Sequence, residues 1–354
     1  MIVNQVNSGE QDEKYEWDKN GYIIFCLCMG RFGNQVDHLL GGLAFAKMLG
    51  RTLILPPFRT YRNVHFDEYF KVEEIAKYHK VILADEFMEH LAPKYWPEKQ
   101  RYGFCYLPKS DEKLGCRMKS GSPFGPFWDG LKVDFVKDIV YQLSYGEESK
   151  LQWLKRYKPS KYPVLAYRGS PAAFPIRREH QFLQKYLVFS DKIVTESEKY
   201  INENFPKENF IGIHLRNNVD WANACKDVEK LKTPAYMASP QCLDGDSQNI
   251  VTNNMCFPDD KEILRLVKSI VLKTKYKVVF VATDKRNMKA ELEEHLQSEN
   301  VRIYHWDPWN PLYDLAVLIK SDYFIGNCVS SFTSFATRAR KYAGDRPTLF
   351  WGVN

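Results

Sequence analysis

Short apolar runs followed by amphipathic helical stretches recur along this 354-residue chain, and that alternation constrains its fold more than any other feature. Parallel strands cannot be joined by a tight turn and need a crossover long enough to hold a helix, so strands alternating with helices imply parallel sheets covered on both faces. Tyr22–Cys26 reads as a buried strand, Gln35–Leu49 as a helix ended by Gly50, and Thr52–Leu55 as the next strand, stopped by Pro56 and Pro57. Further apolar runs follow at Val81–Leu83, Val164–Tyr167, Phe210–Leu215, Val278–Ala282, Val301–Tyr304 and Tyr323–Ile325, with helical patterns at Met288–Gln297 and Leu312–Lys320. The stretch from Pro93 to Trp128 is rich in Pro, Gly and aromatic residues and reads as an excursion from the first domain. Glu179–Asn204 reads as one long polar helix leading into the strand Phe210–Leu215. The chain is longer than one hydrophobic core usually organises. The expected architecture is therefore α/β, with two Rossmann-like domains, 1–189 and 190–354, facing each other across a ligand cleft.

Composition narrows the class. Apolar residues make up 44% of the chain, enough for independent folding and against disorder. The 50 Lys and Arg against 44 Asp and Glu leave a net charge of +6, spread along the chain and not massed in an arm, which suits a small anionic ligand better than nucleic acid. No apolar stretch approaches the roughly 20 residues of a membrane span, and residues 1–20 lack the apolar centre of a signal peptide. The eight cysteines include Cys26-Leu27-Cys28, and Cys105 and Cys116 bracket a turn-rich stretch; Cys225, Cys242, Cys256 and Cys328 complete the set. Zinc spacing is missing, which leaves disulfides in an oxidising compartment or buried free thiols, the former preferred. No Asn-x-Ser/Thr sequon occurs.

Three segments carry chemistry. Cys28-Met-Gly-Arg-Phe-Gly-Asn-Gln35 joins strand to helix at the carboxyl end of the strand, the edge where open α/β sheets bind ligands. Its glycines are spaced G-x-x-G, which is not the dinucleotide fingerprint; Asn34 either caps the following helix or faces a ligand, and Arg31 is either a ligand contact or a surface charge. In Ile211-Gly-Ile-His-Leu-Arg216, strand alternation puts Gly212, His214 and Arg216 on one face. The Arg216 guanidinium is a permanent cation with a planar fork that matches a diphosphate, and it could stabilise negative charge on a departing phosphate. Its other reading is a structural pair with Asp220 or another carboxylate, and that of His214 is a satisfied histidine near the core. In Ile325-Gly-Asn-Cys-Val-Ser-Ser-Phe-Thr-Ser-Phe335 a strand end and a Gly turn open a helix running through Arg338 and Arg340; Ser330, Ser331 and Thr333 either add donors to a phosphate cradle at the helix start or simply cap it. Asp314, an acid on an apolar helix, either accepts the N–H pair of a guanine edge or is solvated. Asp244-Gly-Asp246 matches a D-x-D metal string but reads as a tight turn after a cysteine.

Gly30-Arg-Phe-Gly-Asn-Gln35, His214-Leu-Arg216, Asp220-Trp-x-Asn-Ala-Cys225, Ala238-Ser-Pro-Gln-Cys242, Ala282-Thr-Asp284 and Phe324-Ile-Gly-Asn-Cys-Val-Ser-Ser-Phe-Thr333, in that order, resemble the protein O-fucosyltransferases, and most closely the type that modifies EGF-like repeats of Notch-type receptors. The resemblance implies a GT-B fold, GDP-fucose as donor, EGF-like repeats as acceptors, inversion at the sugar carbon, no metal or other cofactor, and the lumen of the endoplasmic reticulum. By position it implies donor contacts from Arg31, Phe32, Gly33, Asn34, His214, Leu215, Arg216, Asp314, Ser331 and Phe332, with Arg216 and Asn34 catalytic. It also implies the disulfides Cys26–Cys28, Cys105–Cys116, Cys225–Cys256 and Cys242–Cys328. A KDEL-like retrieval signal, common in the family, does not appear at Val353-Asn354. A glycan-directed α1,6-type fucosyltransferase shares related donor motifs, and a lectin-like or chaperone protein holding the same clients is the alternative of another class.

Overall fold

The computed structural model describes residues 15–60, 62–108, 115–205, 207–243 and 250–353. Its strands are β1 (Tyr22–Phe25), β2 (Thr52–Leu55), β3 (Phe58–Arg59), β4 (Asn63–Val64), β5 (Val81–Leu83), β6 (Tyr102–Tyr106), β7 (Lys137–Tyr141), β8 (Val164–Tyr167), β9 (Ile211–Leu215), β10 (Val278–Thr283), β11 (Arg302–His305), β12 (Tyr323–Gly326) and β13 (Thr348–Phe350). The chain divides into two compact units, Met1–Glu68 with Val72–Ile176, and Tyr69–Lys71 with Arg177–Asn354.

The first unit carries a six-stranded sheet in the order β5-β2-β1-β8-β6-β7, every pair parallel. β1 is buried at all four residues, as a strand covered on both faces must be. The helix Phe32–Leu49 returns the chain from β1 to β2 and ends at Gly50, whose φ of 68° supplies the left-handed cap. Gly42 of that helix lies against the ring of Phe25 on β1, and Gly41 against Ala172, so the Gly pair gives up helix propensity for close packing. A short antiparallel pair, β3 and β4, stands apart from the sheet.

The second unit carries a five-stranded sheet in the order β11-β10-β9-β12-β13, also parallel throughout. From β9 the chain moves outward through β10 to β11, then crosses back to β12 on the other flank of β9. That reversal is a topological switch point, and it lies at β9 and β12. Ile211, Ile213 and Leu215 face a core with Ile263 and Val267, while the bare α-carbon of Gly212 lies against Leu318 and Ser321 on the opposite face. The β9 alternation read from sequence is therefore the alternation observed.

Three expectations change. The Pro93–Trp128 stretch is not an excursion, because Tyr102–Tyr106 is an interior strand paired with β8 and β7; Gly103 interrupts the apolar run, its α-carbon packed under Met118. Residues 179–204 are not one helix. A 3-10 segment, Arg178–Tyr186, gives way to extended backbone in which the Val188 carbonyl accepts from the Lys71 N–H and the Ser190 N–H donates to the Tyr69 carbonyl, and a helix restarts at Asp191–Asn204. The unit boundary falls at Ile176 and Arg177, before the expected 189 and 190, because the 3-10 segment packs on the helix Ser331–Tyr342, with Arg338 Nε donating to Gln184 Oε1 at 3.2 Å.

The structure pairs all eight cysteines, Cys26 with Cys28, Cys105 with Cys116, Cys225 with Cys256 and Cys242 with Cys328. This is the pairing the resemblance implies. No helix among the described residues is long and apolar enough to cross a membrane.

Candidate functional site

In the first unit, the loop between β1 and the helix Phe32–Leu49 is held at both ends. The Cys26–Cys28 disulfide closes its start just after β1, and the bridge from Leu27 to Phe58 ties it to β3. Gln35, 1% exposed, donates through Nε2 to the carbonyls of Gly30 (3.1 Å) and Arg59, and its Oε1 accepts from the Arg59 N–H at 2.8 Å. Gly30 has a φ of 70°, the left-handed region that favours glycine, and its α-carbon faces the Asn34 side chain so closely that a β-carbon would overlap it. Arg31 stands in the N-cap position and the helix begins at Phe32, so Asn34 is the third residue of its first turn and is not the cap. Arg31 is exposed, Phe32 half-buried with its ring 5.6 Å from that of Phe58, and Gly33 buried. Sequence reasoning quoted Gln35 without giving it a role; an amide next to a glycine turn was the available signal.

In the second unit, His214, Arg216, Phe332 and Thr333 come together at the switch point. The His214 ring is 4% exposed, lies 4.7 Å from the Phe332 ring and places Nδ1 2.8 Å from Thr333 Oγ1. Trp351 Nε1–H donates to the His214 carbonyl at 3.0 Å, which fixes the end of β9. Burial, followed by the charge of Arg216, pushes the imidazole down to about 3, so it is neutral at physiological pH. The satisfied near-core histidine is thus half of the truth, since Nδ1 is committed inward.

Arg216 is held between two carboxylates. It pairs with Asp284, forms a 2.9 Å ion pair with Asp220, and lies 5.1 Å from the Trp221 ring. Asp284 is 8% exposed and also accepts from the Asn217 N–H at 2.9 Å, whereas Asp220 is 46% exposed. The structural pairing with Asp220 is real, and Asp284 adds a deeper one. Sequence reasoning took Asp284 only as part of a resemblance; its place at the end of β10, beside β9, shows only in the strand order. A guanidinium fixed in this way is preorganised, so it need not reorient at the moment an anion requires it.

The helix Ser331–Tyr342 begins with Ser330 in the N-cap position, and no side-chain cap bond is made there. Thr333 is fully buried with its hydroxyl engaged by His214 and the Asn327 N–H, so it adds no donor to a ligand. Arg338 and Arg340 are likewise turned inward: Arg340 donates to the Leu318, Ser321 and Pro347 carbonyls, closing the end of the helix Pro311–Lys320. Half-buried Ser331 and Phe332 occupy the first turn, where helical amides lack intrahelical acceptors. The Leu215 side chain faces the core, leaving its backbone for any ligand contact.

Asp314 sits on the helix Pro311–Lys320 and is 2% exposed, which overturns the solvated reading. Burial raises its carboxyl well above the ordinary range, and Oδ1 makes no hydrogen bond among the described residues. A buried acceptor without a donor is costly unless a ligand supplies one. No hydrogen bond or ring contact among the described residues joins Asp314 to the His214 cluster. No group of three or more His, Cys, Asp or Glu among the described residues is placed to hold a metal ion, and Asp244 and Asp246 lie outside the described residues.

The family model for GDP-fucose protein O-fucosyltransferase matches residues 22–343. GDP-fucose protein O-fucosyltransferase 1 of Caenorhabditis elegans is 37% identical, over 98% of this chain and 94% of its own length. A crystal structure of POFUT1 in complex with GDP superposes with a TM-score of 0.90 at 38% identity, covering 96% of this chain and 100% of that one. One in complex with GDP-fucose gives 0.91 at 37% identity, with the same coverage. The fold is accordingly of the GT-B class, and an enzyme that transfers fucose is a glycosyltransferase. The chain belongs to the GDP-fucose protein O-fucosyltransferases.

Proposed function

We propose that this protein O-fucosyltransferase moves L-fucose from GDP-fucose to a Ser or Thr hydroxyl of a folded EGF-like repeat of Notch-type clients, with inversion at the sugar carbon and without a metal ion, in the lumen of the endoplasmic reticulum. The observation that carries the reading is Arg216, a fixed cation beside neutral His214 and the uncapped helix start at Ser331, at the switch point of a parallel sheet. POFUT1 has been solved with GDP and with GDP-fucose, which supports the donor. Four disulfides support the luminal location.

In this reading Arg216 holds the β-phosphate and the bridging oxygen, and Ser331 and Phe332 present the first-turn amides to the diphosphate. Asp314 receives the guanine N–H pair that its Oδ1 lacks. The bond from the sugar carbon to the phosphate oxygen breaks early, with negative charge left on GDP. The acceptor oxygen then bonds to the opposite face of that carbon, and its proton passes to the departing phosphate. Asn34 orients the acceptor hydroxyl, while Arg31, Phe32 and Gly33 contact the donor from the first unit.

Mass spectrometry of a folded EGF-like repeat incubated with GDP-fucose and EDTA tests this. One added deoxyhexose on the repeat, with little on the reduced peptide, is the expected result, because ordering a floppy acceptor consumes binding energy that a disulfide-locked one retains. Transfer to a free N-glycan in place of the repeat would assign the α1,6-type activity, and tight repeat binding without transfer would assign the lectin-like or chaperone role. Activity lost in EDTA and restored by manganese would refute metal independence.

A further inference from the structure

Thr333 lies on the first turn of the helix Ser331–Tyr342 and is completely buried. Its Oγ1 accepts a hydrogen bond from the Asn327 N–H at 3.0 Å and stands 2.8 Å from His214 Nδ1. A hydroxyl has one proton to donate, and among the described residues the only acceptor placed to take it is that ring nitrogen. Were Nδ1 protonated instead, two donors would point at the Thr333 oxygen and its own proton would be buried unsatisfied, a costly arrangement.

The Thr333 side chain has little freedom to escape this role. A β-carbon at Gly326 would run into its methyl and hydroxyl, so glycine there leaves the threonine room to pack flat on β12. His214 is held from its other sides by the Trp351 indole on its carbonyl and the Phe332 ring.

We infer that Thr333 is a positioning residue that fixes His214 as the tautomer protonated on Nε2, so that His214 offers an uncharged N–H donor to a phosphate oxygen of the donor nucleotide. The phosphate half of this inference rests on the functional reading above; the tautomer half rests on the hydrogen bonds alone. Burial and the neighbouring Arg216 charge, which hold the imidazole neutral, are consistent with it. A neutral donor beside a permanent cation binds an anion without adding a charge that would repel Arg216.

Nitrogen NMR of the unliganded protein, with His214→Gln to assign the resonance, reads the tautomer directly. The Nε2–H form in the wild type is the expected result, and the Nδ1–H form would overturn the inference whatever the enzyme's activity. Thr333→Val should give mixed tautomers and weaken GDP binding by the reciprocal of the Nε2–H fraction that remains, about two-fold at equal populations, while Thr333→Ser keeps both near wild type. A valine variant that melts earlier but retains the tautomer and the GDP affinity would make Thr333 merely structural and overturn the inference. Wild-type protein that shows the Nε2–H form yet does not bind GDP would remove the phosphate role through the functional reading and not through Thr333.

Discussion

Replacing Gly30 with alanine should damage catalysis out of proportion to stability, and a matched control separates the two. Gly30 and Gly50 have nearly the same backbone, φ of 70° and 68°, so alanine at either pays the same left-handed strain of about 1–2 kcal/mol. They differ in what a β-carbon would meet. At Gly50 nothing lies within 4 Å, whereas at Gly30 the new carbon would come within 2.6–2.7 Å of Cβ, Cγ and Nδ2 of Asn34. One of the two groups must move by most of an ångström, and misplacement of that size can cost on the order of 10² in rate when the displaced group orients a reactant. Both variants should therefore melt a few degrees lower, roughly 2–4 °C per kcal/mol for a unit of this size. Gly50→Ala should keep wild-type transfer, and Gly30→Ala should bind GDP normally yet transfer about a hundred-fold more slowly. Thermal melting, GDP calorimetry and fucose transfer on the two proteins decide it. Wild-type turnover in a folded Gly30→Ala protein would refute the reasoning and remove Asn34 from the mechanism.

The two carboxylates on Arg216 should not be equivalent. Asp284→Asn breaks a largely buried pair and should cost several kcal/mol together with most of the turnover, whereas Asp220→Asn, at an exposed pair, should cost about 0.2–1 kcal/mol; equal effects in urea melts and transfer assays would contradict the geometry. GDP binding in mildly acid buffer should release protons, because burial raises the Asp314 carboxyl well above the ordinary range and accepting the guanine donors favours its ionised form; calorimetry in buffers of different ionisation enthalpy measures this, and Asp314→Asn should abolish the buffer dependence. His214 titrates near 6.5 in the unfolded chain and at about 3 when folded, so the unfolded state binds more protons between those values. Stability should accordingly fall as pH drops through that window, by up to about 1.4 kcal/mol per pH unit. Asp314, with its raised pKa, acts in the opposite sense over the acid range, so the test is the difference between wild type and His214→Gln, and an unchanged acid limb in the variant would refute it.

Sequence alone reached the parallel sheets because their strands are buried on both faces and read as unbroken apolar runs, as Tyr22–Phe25 and Val164–Tyr167 do. It missed β6, whose glycine breaks the run, and β7 and β13, whose residues are mostly only half-buried and carry a weak apolar pattern. The pairing of His214 with Arg216 on β9 followed from alternation, a local rule. Their partners did not: Thr333, Asp284 and Trp351 lie 119, 68 and 137 positions from the residues they hold, distances that no period along the chain encodes. Burial was illegible for the same reason, which is why Asp314 could be read as solvated and why Arg338 and Arg340 received no role. The switch point itself became visible only with the strand order.

The most direct test of the account is fucose transfer to a folded EGF-like repeat by Arg216→Ala and Arg216→Lys, each first checked by melting because Arg216→Ala strands the buried Asp284 charge. Loss of the leaving-group cation should lower turnover by on the order of 10² to 10³ in the folded alanine variant, with little rescue by lysine, since a point charge cannot fork across two oxygens. Wild-type turnover in folded Arg216→Ala would contradict the assignment of the site.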